Sequence, residues 1–382
     1  MSLNLNCALM LCVSNLQETI LPLVYSTVQF SDVKALGRFH ARLDAAEQKW
    51  DSIRRIPYSA PGRWVQALDL SSMTYESHAQ ALELDSTLSQ LFPLVPFLVE
   101  LVMSPAFVLS RRTLSSLACR DGIGNLRVLR GITYVPPLSY PRLQEEAITQ
   151  LLRNCRNLVE LEIHSSGPDP IELEAFAEHS ELTLPDSFTP LPLDQLRTLT
   201  LLSMHSSPLM LSLLRSPLPS LRKLVITPYD DIPSPTSLVN DFINTHGAGL
   251  RSLVLVTPKS WPTRLHPSPA DVLLTSPHLR HLSLENPLPD LLTTKAATRN
   301  EMHQLQILSI PRPTADFWIV LQRLLPQLPS LRAIRARDVR WLRRGMTSRA
   351  QEAGIQGELL EWRRRLLRRG IRVLDADWQE NE

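Results

Sequence analysis

Leu221-Arg-Lys-Leu224-Val-Ile226, Leu250-Arg-Ser-Leu253-Val-Leu255 and Leu279-Arg-His-Leu282-Ser-Leu284 repeat one phrase, leucine-x-x-leucine-x-leucine, at a near-even interval. The phrase or a close variant stands upstream as Leu158-Val-Glu-Leu161-Glu-Ile163 and Leu196-Arg-Thr-Leu199-Thr-Leu201. It continues downstream as Leu305-Gln-Ile-Leu308-Ser-Ile310 and Leu331-Arg-Ala-Ile334-Arg-Ala336. A fixed period marks structural units that can bury their apolar edges only against their neighbours. Such a chain presents a long surface and seldom encloses a pocket, so the pattern points to binding and away from catalysis.

Weaker copies extend the array. Val65-Gln-Ala-Leu68-Asp-Leu70 and Leu98-Val-Glu-Leu101-Val-Met103 fit, Leu126-Arg-Val-Leu129 fits in its first half, and Ile371-Arg-Val-Leu374-Asp-Ala376 reads as a last strand. Most gaps between first positions are 25 to 33 residues, on the long side for leucine-rich repeats and long enough for a helix in each unit. Ser234 to His246, Ser268 to Leu274 and Pro313 to Leu325 supply such helices, with hydroxyl caps and apolar residues at helical spacing. Prolines cluster just before the phrase, as in Ser216-Pro-Leu-Pro219 and Leu325-Pro-Gln-Leu-Pro329, where they end helices and favour extended backbone. Each strand followed by a helical crossover to the same edge must be parallel to the next. The predicted fold is therefore α/β: an irregular leucine-rich-repeat solenoid, or horseshoe, with parallel strands on the concave face, helices on the convex face and helical caps. The asparagine or cysteine that usually follows the strand is missing from most units, so the repeats are expected to be uneven.

Side chains alternate along a strand, so the phrase's fourth and sixth residues face the core and those between and beyond them face outward. That rule predicts a partner-binding concave face containing Glu160, Glu162, His164, Thr198, Thr200, Lys223, Thr227, His281, Glu285, Arg335 and Arg337, with Val225, Val254, Val256, Ser283 and Ser309 between them. Its charge runs from acidic at Glu160 and Glu162 to basic at Arg335 and Arg337.

Composition excludes several classes. The net charge of +2 over 382 residues gives no global pull towards nucleic acid or anionic membranes. Twelve glycines against 31 prolines argue against dinucleotide-binding folds built on glycine-rich turns. No window approaches the ~20 apolar residues of a membrane span, and Met1 to Val13 makes a poor secretory signal; a cytoplasmic or nuclear protein is expected. Cys7, Cys12, Cys119 and Cys155 lack metal-site spacing and read as reduced, mostly buried thiols. On a strand, His278 and His281 would point to opposite faces, and Asp121-Gly-Ile-Gly124 reads as a turn. No nucleophile elbow, zinc-protease pair or phosphate loop occurs, so no catalytic residue, metal or cofactor is assigned.

Thirteen arginines and four acids lie between Arg332 and Arg372. Thr347 to Arg369 reads as a helix with Ile355, Leu359, Leu360, Trp362, Leu366 and Leu367 as apolar positions and Arg363, Arg364, Arg365, Arg368 and Arg369 as a basic stripe. A terminal cap that shields the last repeat is the favoured reading. The alternative is a nucleic-acid or ribonucleoprotein binder working through this helix.

The N-terminal region has its own character. A helical stretch is expected to end at Leu21-Pro22 and pass into a β-rich run, Val24 to Phe30, before an amphipathic helix from Ser31 to Leu43 carrying Val33, Leu36, Phe39 and Leu43 on one face. Leu11-Cys12-Val13-Ser14 and Leu21-Pro22-Leu23-Val24-Tyr25 resemble the end of an F-box. Gly62-Arg-Trp-Val65-Gln-Ala-Leu68-Asp-Leu70, Asn154-Cys155-Arg156-Asn157-Leu158 and Pro219-Ser220-Leu221-Arg222-Lys223-Leu224 are similar to repeats of the fungal (basidiomycete-type) F-box proteins with degenerate leucine-rich repeats. The resemblance implies a non-enzymatic substrate-recognition protein of a cullin–RING ubiquitin ligase, holding a protein partner on the concave face. A full F-box opens with two further helices, so this chain is expected to carry an incomplete one whose adaptor-binding surface is mostly absent. Leu11, Cys12, Val13 and Leu16 would be its adaptor-side remnant. The expected organisation is 1–24 F-box-like, 25–340 repeat array and 341–382 arginine-rich helical cap.

Overall fold

The computed structural model describes residues 14–48, 60–135, 146–165, 188–204, 207–228, 238–258, 269–292, 303–341 and 350–380. They divide into two compact units, the first holding residues 14–165, 188–196 and 215–219, the second 197–214 and 220–380.

In the first unit, five strands pair in parallel in chain order: β1 (Thr27–Gln29), β2 (Ala67–Asp69), β3 (Glu100–Val102), β4 (Val128–Tyr134) and β5 (Glu160–Ser165). The helices are α1 (Ser14–Ser26), α2 (Val33–Gln48), α3 (His78–Leu91), α4 (Arg111–Cys119) and α5 (Ala147–Asn154), and α2 to α5 pack in succession. The second unit continues the pattern with β6 (Thr198–Leu202), β7 (Lys223–Ile226), β8 (Ser252–Leu255), β9 (His281–Ser283), β10 (Ile307–Ile310), β11 (Ala333–Ala336) and β12 (Arg372–Leu374), again parallel and in order. Its helices are α6 (Pro208–Leu214), α7 (Leu238–His246), α8 (Val272–Thr275), α9 (Ala315–Leu324) and α10 (Ala350–Leu367). This is an α/β leucine-rich-repeat solenoid.

The repeated phrase explains the packing directly. Its fourth residues stand in register across each sheet, as Leu68, Leu101, Leu129 and Leu161 in the first unit and Leu199, Leu224, Leu253, Leu282, Leu308 and Ile334 in the second. The last phrase runs one residue out of step, so that Val373 and not Leu374 meets Ile334. All of these are buried. Each fully buried leucine contributes on the order of 1.5–3 kcal/mol relative to exposure, and register makes those contributions cooperative between neighbours. The phrase's opening leucines, such as Leu158, Leu250 and Leu279, are buried where the chain enters the strand. Helix starts are capped by hydroxyls: Ser77 accepts from Gln80 N, Ser110 from Thr113 N and Thr314 from Phe317 N.

Without the usual asparagine, the loops are satisfied by different side chains in different repeats. Buried Arg120 donates to the carbonyls of Val95 (2.8 Å) and Leu98 (2.9 Å). Asn157 donates to Gly124 O, Asn154 to Ala118 O, and Ser216 Oγ accepts from Leu191 N. Burial lowers the Arg120 pKa to about 10 and pushes the Cys155 thiol up to about 12.

The half-fitting phrase at Leu126 has a structural cause. The β4–β5 register shifts between Leu129 and Ile132, so one extra residue separates the two core positions. Gly131 makes the shift, with φ of +69° and a position where a Cβ would lie 2.1 Å from Met103 O.

Several expectations are corrected. The first helix does not stop at Pro22 but runs on to Ser26, because Tyr25 is anchored against Phe39 and Trp64 (ring centroids 6.0 and 5.9 Å). Leu360 and Leu367, assigned to the apolar face of α10, are exposed; Leu359, Trp362 and Leu366 supply that face, with Trp362 packed edge-on against Trp318 at 5.1 Å. Cys119 is exposed and Cys155 buried, while Cys7 and Cys12 lie outside the described residues.

After β12 the chain doubles back. Asp375 fastens the turn: Oδ1 accepts from Asp377 N (2.9 Å) and Gln379 N (2.8 Å), and Oδ2 from Trp341 N (3.2 Å). Trp341 Nε1 donates to Gln379 O at 3.0 Å, and Ala376 N to Val339 O at 2.8 Å.

Candidate functional site: the outward faces of the sheets

In the first unit, Glu100, Arg130, Glu160, Glu162 and His164 form one partly buried polar group on the outward face. Arg130 holds Glu160 in a two-pronged pair (Nε to Oε1 2.8 Å, Nη2 to Oε2 2.7 Å) and stands 3.7 Å from Glu100. The Glu160 bond, with the surrounding carboxylates, raises the Arg130 pKa. His164 Nε2 lies 2.6 Å from Glu162 Oε1, and that hydrogen bond lowers the Glu162 pKa. Glu160 and Glu162 are thus partly neutralised by Arg130, which obeys the same alternation.

In the second unit, Thr198 and Thr200 are half-buried on β6 and Lys223 is exposed on β7. Register aligns Lys223, Ser252 and His281 in one row, and Val254, Ser283, Ser309 and Arg335 in the next. Arg337 reaches back over the sheet to Leu255 O (3.1 Å) and Glu285 Oε2 (2.9 Å). Both members of that ion pair are largely buried, at 13% and 14% side-chain exposure. Glu285 also accepts from Thr257 N and Asn286 N. His281 bonds Ser309 Oγ at 3.0 Å. Burial first, then Arg335, Lys223 and Arg337, push its pKa down to about 4, so it is neutral at physiological pH.

Two features differ from expectation. Thr227 is not on the outward face: it is fully buried, and its hydroxyl accepts from Ser203 N at 2.8 Å. β7 ends at Ile226, and beyond it the period of two no longer governs side-chain direction. Ser283 and Ser309 are buried although they lie on the outward rows. Ser309 bonds His281 and adjoins Arg335, and the returning chain packs on those two residues, with the Trp378 ring centroid 6.2 Å from His281 and 4.3 Å from Arg335 Cζ, and Ala376 O accepting from Arg335 Nη2 at 2.6 Å. No local signal in the sequence announces this fold-back.

The basic stripe of α10 is partly engaged. Arg364 and Arg365 pair with Glu361, and Arg365 Cζ also lies 5.1 Å from the Trp318 ring centroid; Arg368 and Arg369 are exposed, and Arg363 is half-buried. Leu11, Cys12 and Val13 lie outside the described residues, and Leu16 is described only as part of α1. Among the described residues no group of three or more His, Cys, Asp or Glu could hold a metal ion. None of the described helices is long and apolar enough to cross a membrane.

No family model matches the chain, and no curated protein matches it. The fold is similar to that in a TLR13–ssRNA13 complex (TM-score 0.35, 15% identity), where the match covers 83% of this chain and 37% of that one. The chain therefore spans little more than a third of that relative. It is also similar to a Bacteroides fragilis protein (TM-score 0.35, 13% identity, covering 89% and 73% of the two chains) and to the yeast Rad7–Elc1 complex (TM-score 0.29, 12% identity, 85% and 79%). The repeat architecture rests on the in-register ladders themselves.

Proposed function

We propose that the chain is a non-enzymatic protein-interaction module of the F-box leucine-rich-repeat type. A protein partner binds the outward sheet faces, through Glu160, Glu162, His164, Thr198, Thr200, Lys223, His281, Glu285, Arg335 and Arg337. In this reading 1–24 is an F-box-like segment, 25–340 the repeat array and 341–382 its cap. The chain serves a cullin–RING ligase as substrate recogniser or is a degenerate relative that has lost adaptor binding. The observation that carries the binding reading is the alignment of ionisable side chains on consecutive strands, Glu100, Arg130 and Glu160 above all, where mixed charge confers specificity more than affinity. The F-box part rests on the sequence resemblance at Leu11 to Tyr25 and in the repeats.

Affinity purification of the full chain, with cross-linking to map the contact, tests both parts. Cross-links from a partner to β5 or β7–β11 are expected, and cross-links confined to the helices would refute the sheet-face reading. Recovery of the F-box adaptor with the chain supports ligase recruitment; its absence leaves the degenerate relative. A nucleic-acid complex through Arg363, Arg364, Arg365, Arg368 and Arg369 would weaken steeply with salt. Retention of nucleic acid with that slope would favour this alternative instead.

A further inference from the structure

Helix α10 leaves an apolar and basic flank uncovered. Leu360 and Leu367 are 45% and 59% exposed, while Leu359, Trp362 and Leu366 of the same helix are buried. The two exposed leucines are one heptad apart, about 10.5 Å along the axis. Arg363 and Arg364 lie between them at the spacings that share a helical face, and Arg368 follows Arg364 one turn on. Leucine and arginine therefore alternate along a single ridge.

Packing fixes where the ridge points. Trp362 meets Trp318 edge-on at 5.1 Å, and Arg365 Cζ stands 5.1 Å from the Trp318 ring centroid, so these two residues mark the flank turned towards α9. At about 100° per residue, Leu360 and Leu367 lie roughly 140–160° around the helix from both. They face the side on which the helix of a following repeat would stack. Elsewhere that side is taken: α4 packs on α3 and α5 on α4 in the first unit, and α7 packs on α6 and α8 on α7 in the second. Among the described residues no helix follows α10, while the outer edge of β12 is bridged at Leu374 by Glu380. The helical layer is the open part of this end.

Charge identifies what covers it. Among the described residues, the one carboxylate paired with Arg363, Arg364, Arg365, Arg368 or Arg369 is Glu361, shared by Arg364 and Arg365. A second copy docking through its own α10 would set arginine against arginine. Nucleic acid would neutralise the arginines and leave both leucines in water. A bilayer surface favours aromatic residues at its boundary, and Trp362 is turned inward against Trp318. A helix with leucines for the ridge and carboxylates for the arginines meets both needs. We propose that Leu360, Arg363, Arg364, Leu367 and Arg368 form a docking site for an acidic amphipathic helix of a partner protein, which stacks as the next helix of the array. The site is separate from the outward sheet faces and does not depend on the F-box resemblance.

Fluorescence anisotropy of the full chain with a labelled synthetic peptide tests this. The peptide is a glutamate-rich helix of about four turns with leucines along one face. Its controls are a scrambled peptide of the same composition and one with lysine in place of each glutamate. Saturable binding of the first peptide at roughly 1–100 μM is expected, with neither control saturating in that range. Leu360→Gln and Leu367→Gln, at exposed positions, should each weaken binding about tenfold, and the pair Arg364→Gln and Arg368→Gln by a similar factor. Ile319→Gln, at an exposed position of α9, should leave binding unchanged. Thermal unfolding of each variant at the Tm of the unaltered chain shows that the fold is kept. Undiminished binding by the leucine variants, or equal binding of the scrambled peptide, would overturn the proposal by reducing the contact to charge. Absence of saturation by about 100 μM would overturn it outright. Binding of a ribonucleotide homopolymer or of phosphatidylserine vesicles in place of the peptide would do the same, as would dimerisation of the chain abolished by Leu360→Gln. Failure at this flank with partner cross-links retained on β5 or β7–β11 leaves the sheet-face reading standing.

Discussion

The guanidinium carbon of Arg335 stands 4.3 Å from the centre of the Trp378 ring, so a residue beyond the last strand covers the outward side of β11. A cation over an indole contributes roughly 0.5–2 kcal/mol according to its desolvation. Trp378→Ala should lower stability by about 1–2 kcal/mol in urea unfolding. It should also raise the His281 pKa from about 4 towards its ordinary value, since burial is the first cause of the shift. A His281 titration by NMR that does not move would refute the covering role.

Arg120 replaces the missing asparagine ladder in its repeat. Arg120→Met leaves the Val95 and Leu98 carbonyls without their donor, at a cost of about 2–4 kcal/mol for two buried acceptors. Arg120→Lys should recover only part of the loss, because an ammonium cannot reproduce the guanidinium fork. Equilibrium unfolding of the two variants measures the difference.

Two glycines with positive φ should respond differently to alanine. Gly370 has φ of +72° and nothing within 4 Å of its would-be Cβ, so Gly370→Ala should cost about 1 kcal/mol, the strain of the left-handed region alone. Gly131 adds the clash with Met103 O at 2.1 Å, and Gly131→Ala should cost at least roughly 2–3 kcal/mol. Equal losses in thermal unfolding would mean that close approach at the bulge is unimportant.

The two carboxylate pairs make another contrast. Glu285→Ala uncovers Arg337 in a largely buried position and should cost about 3 kcal/mol. Glu160→Gln, at a pair 38% and 28% exposed, should cost less than about 1 kcal/mol. A residue that contributes so little to stability is available for recognition.

Acid should weaken the protein before its carboxylates titrate. His281, His246 and His303 all have pKa values lowered in the folded state, chiefly by burial. Above the unfolded value near 6.5 both states are neutral and nothing is lost. As pH falls below it, the unfolded chain takes up protons that the folded chain refuses, so stability declines down to about 4. Urea midpoints at about pH 7.5, 6 and 5 should fall in that order, with a shallower slope in His281→Gln.

The strands were legible because burial of the leucine phrase is a local pattern with one period. Leu224, Leu253 and Leu282 could be placed on the core side from spacing alone, and the outward residues Glu160, Lys223 and Arg335 followed by alternation. The rule failed where a residue's position depends on more than its own strand. Thr227 lies past the end of β7, the Leu126 phrase contains an inserted residue, and Arg335 and His281 are packed by Trp378 from far along the chain. Arg130 obeys the rule, although its phrase is interrupted at Gly131.

A row of parallel strands ends in a strand with one neighbour, and fraying starts at such an edge. Three backbone amides close on the Asp375 carboxylate, two of them from the chain beyond β12 and one, Trp341 N, from the segment after β11. One side chain thus adds, to the β11–β12 ladder and the Trp341 and Ala376 bonds, a tie between the edge of the second unit and the segment behind it. In hydrogen exchange the amides of Val373 and Leu374 should be protected as well as those of Ile334, and Asp375→Ala should release them first, a loosening that starts at one seam and reaches β11 only afterwards.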